Sequence, residues 1–262
     1  MNPAMWISKT GVQAQDAQLQ AIANNLANAN TVGFKRDRVM FEDLFYQVER
    51  QPGAQTEQGT AAPTGVQMGN GTRVVGTQKD FTNGSLQTTG QNLDVAIVGT
   101  GFLQVEGPNN TPAYTRAGQL QINADGHLVN AQGLLVQPQI TVPANTTALT
   151  ISENGTVTAT VAGSTTPTEL GQLHLSSFPN PAGLLALGDN LYQETVASGA
   201  VTEGIPGQNG LGQIKQGSLE GSNVQVVEEM VDMIAAQRTY EMNTKVLTAA
   251  DNMLQTLAQA SR

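Results

Sequence analysis

Apolar residues recur every seven positions near both ends of this chain. Near the N-terminus the repeating positions are Met5, Val12, Leu19 and Leu26, with Ile22 on the same side. Near the C-terminus they are Leu219, Val226, Met233, Tyr240, Leu247 and Leu254, with Met230 beside them. A seven-residue repeat on a helix of 3.6 residues per turn predicts two amphipathic helices that pair along a narrow seam and supercoil.

The predicted N-terminal helix carries amides where an exposed helix ordinarily carries charges. Its last part reads ANNLANAN, and Asn24, Asn25 and Asn28 face away from or flank the apolar seam. Amides hydrogen-bond to neighbouring protein without the desolvation cost of a charge. We therefore predict that this face packs against protein.

The predicted C-terminal helix has a second apolar face, which includes Val246, Met253 and Leu257. No Gly or Pro interrupts residues 223–262, so a single long rod is expected. One partner helix cannot cover two faces. We expect several neighbours, and we expect both terminal helices to order on assembly.

Short strands and turns fill the middle of the chain, which predicts an antiparallel β domain. Asp125-Gly126 and Asn154-Gly155 lie between alternating apolar segments and predict type I′ hairpins, with Asn83-Gly84 as a third candidate. Gly99-Thr100-Gly101 resembles a dinucleotide-binding turn, but Gln104 occupies the place of the third glycine. We interpret it as a turn between two strands.

The segment between the first helix and the β domain is harder to interpret. Residues 41–48 suggest a short amphipathic helix, and the Gln-, Gly-, Thr- and Ala-rich stretch that follows contains Pro52 and Pro63. A loop of this length inside a compact domain is unusual. The stretch is therefore either disordered or a binding element.

Composition and charge exclude several classes of function. A net charge of −9 argues against nucleic-acid binding, and the absence of cysteine excludes thiolate sites and disulfides. No apolar run reaches the length of a membrane span. His127 and His174 have no carboxylate at ligand spacing, and no G-x-S-x-G motif is present. We predict no enzyme activity, no cofactor and no metal. The N-terminus has no secretory-signal pattern, as expected of a cytosolic protein or of one exported without such a signal.

Several motifs together resemble the bacterial flagellar rod and hook family of axial proteins. They are ANNLANANTVGFKR (23–36), DVAIVGTGFLQV (94–105), AYTRAGQLQINADGHLVNAQGLLVQP (113–138) and SNVQVVEEMVDMIAAQRTYEMNTKVLTAADNML (222–254). Within the family, FEDLFYQVERQPGAQ (41–55) is similar to the distal-rod type. In that reading Tyr46, Gln51, Pro52 and Gly53 belong to an insertion that reaches a neighbouring subunit.

The resemblance implies export through the flagellar type III apparatus and polymerisation into a hollow helical tube in the basal body. The implied partners are further copies of the chain, proximal rod proteins, the hook protein, the P and L ring proteins and the export apparatus. The subunit-packing residues would be Val12, Leu19, Ile22, Asn24, Asn25, Leu26 and Asn28 on the first helix. On the last helix they would be Val226, Met230, Met233, Tyr240, Leu247 and Leu254.

The predicted fold class is α+β, with N- and C-terminal helices that pair as a coiled-coil domain around a central, mainly antiparallel β domain. The predicted segments are 1–32 (helix), 33–71 (extended, with the insertion), 72–217 (β domain) and 218–262 (helix). Three alternatives remain: a proximal rod or hook subunit of the same family, a hydrolase with helical oligomerisation ends, and a secreted adhesin or toxin subunit. The hydrolase requires a carboxylate or histidine cluster that the sequence does not contain. The adhesin or toxin requires a processing signal or repeats, and neither is found.

Overall fold

The chain forms two structural units in a computed structural model, which describes residues 3–52, 64–163 and 166–260. The helical unit contains Met1–Leu26, Asp37–Gln78 and Gln225–Arg262. The β unit contains Ala27–Arg36 and Lys79–Val224. Each unit is thus assembled from separate stretches of the chain.

Two long helices form most of the helical unit. Helix α1 spans Pro3–Ala27, and α2 spans Val226–Ala260. Proline suits the first turn of α1 because the amide hydrogen that it lacks would have no partner there. Glu228 and Glu229 lie in the first turn of α2, where the helix dipole favours negative charge. At about 1.5 Å per residue, α2 is a rod of roughly 50 Å.

Helix α2 begins later than the seven-residue repeat predicts. Leu219 is one of the repeat positions, but it lies in a strand, Ser218–Glu220, that pairs with Leu86–Thr88. Leu219 is buried there. Its spacing relative to Val226 therefore reflects burial in a different element.

The helical unit also contains two pairs of strands, which follow each other and which we call the ribbon. The strands are β1 (Asp37–Asp43), β2 (Tyr46–Arg50), β3 (Val66–Gly69) and β4 (Thr72–Lys79). β1 pairs with β4 and β2 pairs with β3. The short helix predicted over 41–48 is wrong, because most of these residues lie in β1 and β2, which pair with the returning strands β4 and β3.

The described residues of the β unit form sixteen strands, and all of their described pairings are antiparallel. They are β5 (Leu86–Thr88), β6 (Val95–Val98), β7 (Phe102–Glu106), β8 (Pro112–Thr115), β9 (Gln121–Ile122), β10 (Leu128–Val129), β11 (Val136–Gln137), β12 (Thr146–Ile151), β13 (Thr156–Val161), β14 (Thr168–Gln172), β15 (Leu175–Ser177), β16 (Leu185–Gly188), β17 (Leu191–Gln193), β18 (Thr202–Gly204), β19 (Gln213–Gln216) and β20 (Ser218–Glu220). The α+β class and the antiparallel β domain are confirmed.

The largest sheet of the β unit has seven strands. Its order is β16-β17-β8-β7-β15-β18, and β11 also pairs with β7. Aliphatic side chains from β6, β7, β13, β15 and other strands form the main core. A second cluster joins Phe102, Tyr114, Phe178 and Tyr192, whose rings meet edge to face. Few aromatic residues are needed, since aliphatic side chains fill most of the interior.

Hairpins form at two of the three predicted places, but their turns are not of the predicted type. Asp125-Gly126 and Asn154-Gly155 connect paired strands, but only the glycine of each pair has a positive φ, so neither turn is type I′. The turn between β16 and β17 has positive φ at both Asp189 and Asn190, as type I′ requires. The hairpin predicted at Asn83-Gly84 is wrong. Gly84 instead donates its backbone N–H to a buried carboxylate.

Candidate functional site

The two terminal helices contact each other, and the contact determines their direction. Asn25 Nδ2 lies 3.3 Å from both carboxylate oxygens of Glu229. A β-carbon on Gly11 would lie only 3.0 Å from the amide nitrogen of Asn243. Gly11 precedes Asn25 on α1, whereas its neighbour Asn243 follows Glu229 on α2, and both separations are the same number of residues. The helices are therefore antiparallel in this contact.

The residues that face α1 form a row of small and polar side chains on α2. The row is Glu229, Ala236, Asn243 and Ala250, spaced by seven, and all but the half-buried Asn243 are buried. The predicted row Met233, Tyr240 and Leu247 flanks it and is half-buried. Small residues occupy the centre of the contact because they allow close approach of the backbones. Subunit packing by Met233, Tyr240 and Leu247 remains a prediction. Supercoiling of the pair remains a prediction.

Asn25 is the best-fixed residue of the amide-rich stretch. Its Nδ2 donates to the backbone carbonyl of Asp37 at 2.9 Å, and its Oδ1 accepts from the Asp37 N–H at 2.8 Å. With the contact to Glu229, this amide joins the end of α1 to β1 and to α2. Asn25 is buried, so its hydrogen-bonding groups are used within the chain.

The other predicted packing residues differ in exposure. On α1, Ile22 is buried, Val12, Leu19 and Leu26 are half-buried, and Asn24 is exposed with its amide 3.1 Å from the Asp37 carboxylate. Asn28, which was predicted on this helix, lies just beyond its end and is half-buried. On α2, Val226, Met230 and Leu254 are exposed. On the ribbon, Tyr46, Gln51 and Pro52 are exposed, and Gly53 lies outside the described residues.

In the first part of α2, the side opposite its contact with α1 is apolar and exposed. Val227, Met230, Val231 and Ile234 follow the i, i+3, i+4, i+7 spacing of one helix face. Met242, Val246 and Met253 are further exposed apolar residues towards the C-terminus of α2. We call Val227, Met230, Val231 and Ile234 the outer stripe. An exposed stripe of this kind marks a site of contact with other protein.

The ribbon is exposed on both faces. Phe45 is 91% exposed, and Tyr46, Val48 and Met68 are each about half exposed. An isolated two-stranded ribbon is only marginally stable in water. The ribbon therefore has the properties of an arm that binds to another surface.

A buried ionic cluster, which we call the clasp, lies in the β unit and consists of Lys35, Arg116 and Glu220. All three side chains are at most 2% exposed. Lys35 Nζ donates to Glu220 Oε1 at 2.7 Å, and Arg116 Nη1 donates to the two oxygens of Glu220 at 3.1 and 3.2 Å. The Gly84 N–H also donates to Oε1, at 3.0 Å. One carboxylate thus holds two cations from distant parts of the chain.

Backbone carbonyls satisfy the remaining donors of the clasp. Lys35 Nζ donates to Thr82 O at 2.7 Å, and Arg116 donates to Gly101 O at 3.0 Å and to Gly99 O. Gly99-Thr100-Gly101 is therefore a turn whose carbonyls bind an arginine. It lies between β6 and β7, which agrees with its interpretation as a turn between two strands. No buried side-chain nitrogen or oxygen among the described residues lacks a hydrogen-bond partner.

Burial affects the ionisation of both cations. It lowers the pKa of the Lys35 amine, which the positive charge of Arg116 lowers further, while Glu220 acts in the opposite direction. Burial likewise lowers the pKa of Arg116 against the effect of Glu220. Two buried cations share a single carboxylate, so the loss of that carboxylate would be costly.

Asn223 joins three parts of the chain beside the clasp, and the middle part is the segment of Asp80. Its Oδ1 accepts from the Arg36 N–H at 2.8 Å, and its Nδ2 donates to Asp80 O at 2.8 Å. The segment that follows α1, the segment that follows β4 and the segment that precedes α2 are therefore held together. Sequence reasoning missed the clasp, whose three charged residues lie in separate motifs far apart in the chain.

The described ranges do not meet the requirements of a metal site or of a membrane-spanning helix. They contain no cluster of three or more His, Cys, Asp and Glu side chains arranged to hold a metal ion. Neither α1 nor α2, nor any other helix described, is both long and apolar enough to cross a membrane.

Comparison with known proteins identifies the family. Residues 6–35 match the model of the flagella basal body rod protein, residues 96–159 that of the flagellar hook protein FlgE/F/G D1 domain, and residues 215–260 that of the flagellar basal body rod FlgEFG protein C-terminal region. The flagellar basal-body rod protein FlgG of Buchnera aphidicola subsp. Acyrthosiphon pisum is 48% identical over 99% of this chain and 100% of its own. The FlgG proteins of Borreliella burgdorferi and Bacillus subtilis are 46% and 35% identical, each over 97% of both chains.

The chain belongs to the FlgG family of flagellar basal-body rod proteins. It is therefore a structural rod protein of the flagellar basal body. Since the near-full-length relatives are named FlgG, the alternative of a proximal rod or hook subunit is not favoured.

Each of the three matched segments contains one residue of the clasp. Lys35 lies in the first matched segment, Arg116 in the second and Glu220 in the third. The clasp thus joins the three family segments of this FlgG-type chain. The ribbon lies between the first two segments and outside all three family models, although the full-length relatives span it.

Proposed function

We propose that this chain is the subunit of the distal rod, and that it polymerises into a hollow helical tube. The tube acts as a rigid drive shaft that carries torque from the motor to the hook, and its lumen is part of the export channel. The chain has no catalytic role in this proposal. Membership of the FlgG family supports the class of protein, and the exposed surfaces described above support polymerisation.

The outer stripe is the observation that carries the proposal. One face of α2 already contacts α1 within the chain, so the apolar opposite face requires another molecule. Copies of the same chain are the natural occupants in a homopolymer. Two different surface patches that meet head to tail generate an open filament when the rotation does not close.

The predicted packing residues take separate parts in this proposal. The half-buried Val12, Leu19 and Leu26 on α1, and Met233, Tyr240 and Leu247 on α2, border the contact within the chain and also contact neighbouring subunits. Val226, Met230 and Leu254 contact neighbours only. Asn24 and Asn28 contribute amides to subunit packing, whereas Asn25 positions α1 within its own subunit. Tyr46, Gln51, Pro52 and Gly53 belong to the arm that reaches the neighbour.

The finer partners also belong to the proposal. The rod would join proximal rod proteins below and the hook protein above, and turn inside the P and L rings as it crosses the periplasm. The subunit would reach the growing end through the flagellar type III apparatus without a cleaved signal. The terminal helices would become fully ordered in the polymer.

Val227→Asp tests the proposal. Aspartate in the first turn of α2 suits the helix dipole, so the helix is expected to persist while the outer stripe gains a charge. We expect the variant to remain folded by circular dichroism, to lose polymerisation by sedimentation and electron microscopy, and to fail to restore motility. Thr239→Asp, at an exposed polar position away from the stripe, is the matched control. Normal polymers of Val227→Asp would refute the role of the stripe.

A further inference from the structure

Two strands at sheet edges have exposed apolar side chains and no charged residue. The first is β3 (Val66–Gly69), at the free edge of the ribbon, where Val66 and Met68 are 38% and 48% exposed. The second is β16 (Leu185–Gly188), at one end of the seven-stranded sheet, where Leu185 and Leu187 are 53% and 44% exposed. Unguarded apolar edges are sites where another strand adds.

The other outer strands of the ribbon and of the two largest sheets carry features that discourage such pairing. The ribbon strands β1, β2 and β4 contain several charged side chains. At the opposite end of the large sheet, β18 contains Glu203. In the three-stranded sheet, β14 contains Glu169, and the exposed positions of β12 are Thr or Ala. Among these strands, β3 and β16 alone are both apolar and uncharged.

The two edges also match in pattern. Each strand has four residues, two large apolar side chains two positions apart, and a glycine at its end. In a pleated strand, residues two apart project from the same face. Pairing would therefore place Val66 and Met68 beside Leu185 on one face of an extended sheet. A bulge after Ala186 directs the pairing to the start of β16.

We propose that β3 of one subunit adds to the edge of β16 of a neighbouring copy, so that the ribbon extends the neighbour's large sheet. This inference rests on the proposed function, because it names the surface on which the ribbon arm lands in the polymer. The two patches differ, so the contact is heterologous and propagates from copy to copy. Backbone hydrogen bonds provide the affinity, and the alternating side chains provide the register.

The absence of cysteine makes the test clean, because introduced thiols have no competitors. Chains with Leu185→Cys are mixed with chains with Met68→Cys or Val66→Cys, polymerised, and oxidised. Each chain has one thiol, so only links between copies form. Directly paired strands bring β-carbons to about 4.5–5.5 Å, near the range in which disulfides close. Gln67→Cys is the matched control, since Gln67 is exposed on the other face of β3.

We expect mixed disulfide dimers of Leu185→Cys with Met68→Cys or Val66→Cys in the polymer, and few with Gln67→Cys. Normal polymers with no mixed dimer, or with equal linking of Gln67→Cys, would overturn the landing site and leave the proposed function intact. Predominant linking of Met68→Cys to itself would overturn it in favour of ribbon-to-ribbon contact. Failure of the unsubstituted chain to polymerise would overturn both proposals.

Discussion

Glu220→Gln removes the only negative charge of the clasp and leaves two buried cations. Lys35 keeps the carbonyl of Thr82, and Arg116 keeps the carbonyl of Gly101, so backbone oxygens offset part of the loss. Breaking a buried ion pair on one side costs about 3–5 kcal/mol, and we take the lower end for this reason. With a urea m-value of about 3 kcal/mol/M for a chain of this size, the unfolding midpoint falls by about 1 M.

Urea unfolding followed by two probes locates the effect. Far-ultraviolet circular dichroism reports both units, whereas the single tryptophan, Trp6, lies on α1 and reports the helical unit. We expect the dichroism transition of the β unit to shift while the tryptophan transition moves much less. Glu203→Gln is the matched control, because Glu203 is exposed at a sheet edge and its loss changes stability by about 0.5 kcal/mol or less.

A second substitution distinguishes an electrostatic role from simple packing. Lys35→Met in the Glu220→Gln background removes one of the two uncompensated cations. We therefore expect the double variant to be more stable than Glu220→Gln alone. If the double variant instead loses the sum of both single effects, or if Glu220→Gln resembles Glu203→Gln, the charge argument is refuted.

Two further predictions concern the junctions of the helices and the alkaline side of the stability curve. Asn25→Ala removes the hydrogen bonds from α1 to β1 and α2 and should destabilise the helical unit by about 1–3 kcal/mol in tryptophan-monitored unfolding; an unchanged midpoint would contradict the assigned role. Because the pKa of Lys35 in the folded chain lies below its ordinary value of 10.5, the unfolded chain holds that proton more tightly just below pH 10.5. The free energy of unfolding should gain a positive slope with pH from this residue. The slope should be smaller in Lys35→Met, and equal slopes would show that Lys35 does not contribute.

Local patterns predicted the elements that have a single buried face. The apolar repeat near the C-terminus predicted a helix there, and α2 spans Val226–Ala260. Subunit packing by its repeat positions remains a prediction. The ribbon was missed because both of its faces are exposed, so its strands lack the alternation of buried and exposed residues that identifies a strand. Its pairing also depends on a second strand that lies beyond a long intervening segment.

The clasp was not predictable for a different reason. Lys35 and Glu220 are 185 residues apart, and Arg116 and Glu220 are 104 apart. No periodicity or spacing rule connects positions at such separations. A charged residue is ordinarily expected at the surface, so burial of these three side chains was not expected from their local sequence. The turn types failed on a smaller scale, because a single φ angle distinguishes the two hairpin families.

The three residues of the clasp are far apart in the chain, and this affects when the β unit can fold. A polypeptide delivered N-terminus first presents Lys35, then Arg116, and reaches their shared carboxylate only at residue 220 of 262. Before that residue arrives, closing the β unit would bury two cations without their counter-charge. We therefore expect folding of the β unit to wait until most of the chain has emerged. If the subunit is exported in this order, as proposed, we expect it to stay extended in transit and to fold once the segment leading into its last helix has arrived.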